Sequence, residues 1–66
     1  MIVHILPLTG DEEKFYSTLD TADQIAAQGD KKLALLCVKA SEREAVLAEN
    51  YELAGEFRDL ASRYTA

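Results

Sequence analysis

Sixty-six residues, 48% of them apolar and 29% charged, bound the chain to one small domain. A chain of this length buries only about 60% of the surface its unfolded form exposes, which leaves a thin private core. A single cysteine excludes an internal disulfide, a single histidine argues against a zinc cage, and a net charge of −5 argues against direct contact with nucleic acid.

The chain opens on an apolar stretch, residues 2–6, rich in β-branched side chains and stopped by Pro7. This reads as an extended arm over residues 1–8 that must pair or pack elsewhere, since one such segment leaves backbone groups unsatisfied. His4 within it is a lone outward-facing residue and makes no ligand set. The stretch lacks the basic flank and small-residue cleavage site of a signal peptide, and no run reaches the roughly 18 apolar residues of a membrane span. The expected location is cytoplasmic, and a lone cysteine fits a reducing compartment.

Residues 9–66 read as a helical domain. Thr9-Gly10-Asp11-Glu12 has the form of a capping box. Asp11, Glu12 and Glu13 then lie where the helix dipole favours negative charge. Phe15, Leu19, Ala22 and Ala26 recur at helical spacing with Ile25 beside them, and Gly29 suits a left-handed stop, so a first helix is predicted over 10–28. Asp30 can cap the next element. The run 33–38 is continuously apolar, and periodicity alone does not separate a buried strand from a helix there. Leu, Ala and Lys dominate it, which favours a second helix from Lys31 to about Glu49. As a strand it would instead open a β-α-β unit followed by a long helix or helical hairpin, with Ser41 and Glu44 as a second capping box. Cys37 inside the run reads as a small buried hydrophobe with no base beside it.

Asn50 is a plausible N-cap for a third helix over 51–64. A rival reading fuses the last two helices. Val46, Asn50, Leu53, Phe57, Leu60 and Tyr64 follow a heptad seam, with Asn50 setting register in a continuous rod. The preferred fold is an all-α three-helix bundle with an N-terminal arm, its last two helices an antiparallel hairpin.

The stretch 50–59 concentrates the features of a docking helix. Ala54 and Gly55 thin it, Tyr51 and Phe57 flank the thin spot, and Arg58 and Asp59 follow. Aromatics and Arg are over-represented at binding hot spots. Ala45, Glu49-Asn50, Tyr51-Glu52, Ala54-Gly55 and Phe57-Arg58-Asp59 resemble, in order, the UVR motif. This is the helical hairpin that ends the bacterial excision-repair proteins UvrB and UvrC and recurs in ClpC-type unfoldases and McsA-type adaptors. Leu35 and Val38 fall where the first helix of that motif is apolar, and Gly55 stands where alanine is more usual. The resemblance covers residues 32–64, about the last half of the chain. It implies a non-catalytic hairpin that binds a protein partner or a second copy of itself, as a small adaptor or dimerising subunit.

From these residues the expected partner surface comprises Tyr51, Ala54, Gly55, Phe57, Arg58 and Tyr64, with Phe57 read first as a core residue, since Phe is usually buried. Asp59 has Arg63 available at i,i+4. A second functional reading rests on charge. Between positions 11 and 30 six acids stand against one base, while from position 31 onward acids and bases number six each. Asp11, Glu12, Glu13, Asp20 and Asp23 would then form an acidic face on a small inhibitor, a nucleic-acid mimic or mobile-element product that blocks a basic protein surface. No catalytic set, cofactor loop, calcium loop or metal cluster is visible, and neither nucleic acid, membrane nor small-molecule substrate is expected as a partner.

Overall fold

A computed structural model describes residues 9–65. The arm expected at residues 1–8 lies outside the described residues. Three helices follow in order, α1 (Gly10–Ala27), α2 (Lys31–Leu47) and α3 (Tyr51–Ala61), and α3 closes with a 3₁₀ turn, Ser62–Tyr64. Among the described residues there is no strand. The run 33–38 lies wholly within α2, so the β-α-β alternative falls, as helix propensity indicated.

Each helix starts on a side-chain cap. The Thr9 hydroxyl accepts from the Glu12 backbone N–H at 3.1 Å. The reciprocal half of the expected capping box differs: the Glu12 carboxylate accepts from the Thr9 hydroxyl at 3.3 Å, not from the Thr9 backbone. Asp30 accepts from Leu33 N–H at 3.0 Å, and Asn50 accepts from Leu53 N–H at 3.3 Å. Ser41, which the strand alternative made a cap, sits mid-helix and shares a 3.0 Å hydrogen bond with Thr18 across α1 and α2.

The two inter-helix turns are the same device. After α1, Gly29 N–H donates to Ala26 C=O at 2.9 Å and Asp30 N–H donates to Ile25 C=O at 3.3 Å. After α2, Glu49 N–H donates to Val46 C=O at 2.9 Å and Asn50 N–H donates to Ala45 C=O at 2.8 Å. Both patterns are Schellman motifs, which close the last carbonyls of a helix and need a left-handed residue after its cap. Gly29 takes that conformation at φ 97°, and Glu49 takes it at φ 59°. In each turn the next residue doubles as the N-cap of the following helix. This break excludes the continuous rod, and α2 and α3 form an antiparallel hairpin.

The core is small-sided. Ala22, Ala34, Ala45, Ala54 and Ala61 are buried with Val38, Leu53, Leu60 and Tyr64 around Phe57, which has 0% exposure. Phe15 of α1 meets Phe57 edge-on, with ring centroids 5.7 Å apart. Leu19, Ile25, Ala26 and Leu35 pack against the edge of this cluster. Cys37 is half-buried rather than enclosed as expected, because it lies on the margin of the α2 core face. Helix α2 packs on both neighbours along its length, whereas α1 and α3 meet more sparingly.

Two stability outcomes follow. Phe57→Ala is expected to cost about 3–5 kcal/mol in urea unfolding, the usual toll of removing a fully enclosed aromatic. Glu49→Gly is expected to gain up to about 1 kcal/mol in the same measurement with an unchanged denaturant slope, since only glycine enters the left-handed region freely.

Candidate functional site

The outer seam of the α2–α3 hairpin holds an open groove of about 280 Å³, lined by Glu42 and Val46 of α2 and by Tyr51, Ala54, Gly55 and Arg58 of α3. The turn positions these side chains. By reversing the chain within three residues, it sets the second half of α2 beside the first half of α3. Tyr51, in the first turn of α3, is 67% exposed, and Val46 across from it is 45% exposed. At Gly55 a Cβ would meet nothing within 4 Å, so the backbone is bare and faces open space. Arg58 is exposed one turn further on, with Glu42 half-buried opposite.

The expected partner residues divide between two environments. Tyr51, Gly55 and Arg58 share the groove. Phe57 and Tyr64 do not offer a surface, at 0% and 8% exposure, and Ala54, at 7%, reaches the groove only at its floor. Phe57 and Tyr64 point inward because their large side chains fill a core in which five of the other eight buried hydrophobic residues are alanines. Ala54 forms the groove floor while its methyl packs inward. The close seat therefore splits: Ala54 is filled from within the chain, and Gly55 is left open. Val46 and Glu42 complete the groove and come from α2. Their signal in the sequence is their place one turn or so before the hairpin bend, on the side that meets Tyr51.

The expected acidic face also divides. Asp11 accepts from the Asn50 side-chain amide at 2.8 Å, so Asn50 caps α3 and ties it to the start of α1 at once. Asp23 accepts from the Tyr64 hydroxyl at 2.5 Å, tying the other end of α3 to α1. Glu12, Glu13 and Asp20 remain exposed on α1. Lys14 pairs with Glu44 of α2 at 3.3 Å, and both are well exposed, so the pair contributes little. Among the described residues it is the sole ion pair within 4.0 Å; Asp59 and Arg63 do not close theirs. Nor does any group of three or more His, Cys, Asp or Glu among the described residues converge as a metal cage would. No described helix is long and apolar enough to cross a membrane. Comparison with known protein families, with curated proteins and with solved structures finds no match.

Burial, joined by the hydrogen bond to the Asp23 carboxylate, pushes the Tyr64 hydroxyl up to about 12 from its ordinary 10.0. A raised folded-state value means that the unfolded chain releases this proton first. The stability it contributes is whole below pH 10 and is lost as pH rises through about 12. Thermal melts between those limits should show the loss, and Tyr64→Phe should flatten that part of the profile.

Proposed function

We propose that the chain is a non-catalytic interaction module of UVR type, a small adaptor or dimerising subunit that receives a protein partner in the open seam of its α2–α3 hairpin. One observation carries the reading: an exposed Tyr51, a bare Gly55 backbone and an exposed Arg58 line one groove on one helix. A bare backbone lets a partner side chain or helix approach closely. Tyr and Arg bring large contact area and directed hydrogen bonding, the residue types that dominate interface energies. Half-buried Glu42 and exposed Arg58 on facing walls give the groove a charge of each sign, which orients a partner more than it strengthens binding. A reducing, cytoplasmic setting suits the unpaired Cys37.

The acidic-inhibitor reading has less behind it. Two of its five acids, Asp11 and Asp23, are engaged in hydrogen bonds that hold α1 to α3. Neutralising them would act on the fold before it acted on a partner.

Gly55→Leu separates folding from docking. A Cβ at this position meets nothing within 4 Å, and loss of a mid-helix glycine stabilises α3 by up to about 1 kcal/mol. The expected outcome is a protein that melts higher yet loses a partner recovered by the native chain in pull-down, with Tyr51→Ala losing it without a change in melting. Undiminished capture by both variants would remove the groove from the docking surface.

A further inference from the structure

Two further surfaces lie on opposite sides of the bundle, and neither belongs to the hairpin groove. The first is the outer ridge of α2. Leu33, Leu36, Ala40 and Leu47 are spaced by three, four and seven residues and so share one stripe. That stripe lies about half a turn from the core face marked by Ala34, Val38 and Ala45. Leu33, Leu36 and Leu47 are 49%, 62% and 78% exposed. Exposed Lys32, Lys39 and Arg43 run along one side of the stripe, and Glu44, paired with Lys14 of α1, runs along the other, so the ridge is apolar with one cationic flank.

The second surface is a trench between α1 and α3. Its upper part, about 400 Å³, has Phe15, Leu19 and Leu60 at its floor and Glu56, Asp59 and Arg63 at its rim. Its lower part, about 210 Å³, continues through the shared Glu56 to Glu52, Leu53, Asp11 and Glu12. The trench is therefore apolar below and carries five acids to one base along its walls. Residues of α2 line neither part. Helices α1 and α3 both sit on the core side of α2, so the trench opens away from the ridge.

We propose that copies of the chain associate head to tail, with the α2 ridge of one copy seated in the α1–α3 trench of the next. The ridge has the chemistry that the trench selects: a leucine stripe for an apolar floor and, along one side of it, a lysine and arginine flank for the carboxylate wall. A fourth helix in that position completes a four-helix packing around the half-buried Phe15 and Leu19. Ridge and trench are different surfaces on opposite faces, so the contact is heterologous. It leaves a free ridge at one end and a free trench at the other, and growth runs past a dimer into an open series or a larger ring. The opposed charges make the association weaken as salt is raised.

The test uses the intact chain and two variants, each disabled on one surface. Leu36→Ser with Leu47→Ser strips the ridge of its apolar stripe without adding charge, and Glu56→Lys with Asp59→Lys places bases on the trench wall. All four positions are exposed, and circular dichroism with thermal melting checks that each variant folds. In sedimentation velocity the unaltered chain is expected to run as a concentration-dependent series, and each variant alone as a monomer with association at least about tenfold weaker. Mixed in equal amounts, the two variants retain one good ridge and one good trench between them and are expected to form a discrete one-to-one pair. Gly55→Leu, which lies outside both surfaces, is expected to leave the series intact, so failure here and failure of the hairpin groove are read separately. The proposal is overturned by an unaltered chain that stays monomeric at about 1 mM, by association that stops at a closed dimer, or by a variant mixture that remains monomeric.

Discussion

An interior built on alanine constrains everything else in this molecule. Of the ten buried hydrophobic residues, five are alanines, and Phe57 is the one large side chain at their centre. Small residues let helix backbones draw close, toward the short end of the usual 8–10 Å separation. They also leave little volume to fill. The bulky leucines at 33, 36 and 47 consequently have no place inside and lie along the outer side of α2. In a chain this short, the apolar material that the core cannot admit becomes surface, and the leading surfaces described above follow from that exclusion.

Polar contacts then decide which helices stay apart. Asn50 with Asp11 and Tyr64 with Asp23 fix α3 to α1 near its two ends, while Phe15 on Phe57 joins them between. Thr18 and Ser41 join α1 to α2 midway. Each of these bonds spans long sequence distances and uses a short side chain. Together they hold α1 and α3 in register without closing the gap between them, and the acidic walls of that gap remain in water, where their charges cost little.

Helix ends were legible from residue chemistry alone, because Thr9, Asp30 and Asn50 each have a side-chain oxygen of the right reach and each is followed by helix-forming residues. The first turn was equally legible at Gly29. The second was not, because Glu49 is an unusual occupant of a left-handed position and leaves no mark in composition, which is why a rod and a hairpin competed. The run 33–38 hid its own inner and outer sides, since every residue in it is apolar or nearly so; only the packing of α1 and α3 distinguishes Ala34 and Val38 from Leu33 and Leu36. The candidate groove was half legible. Tyr51, Gly55 and Arg58 stood out by type, but Val46 and Glu42 join them through a chain reversal, and the inward direction of Phe57 and Tyr64 depends on how little the alanines fill.

The left-handed Glu49 also bears on how fixed the α2–α3 reversal is. Gly29 rests in its turn without penalty, whereas a non-glycine residue at φ 59° is held there by the neighbouring bonds against a steric cost of about 1–2 kcal/mol. A β-branched side chain at this position would raise that cost and favour an uninterrupted α2–α3 helix. A single exchange at a solvent-facing position thus bears on the reversal between α2 and α3 without altering one residue of the core.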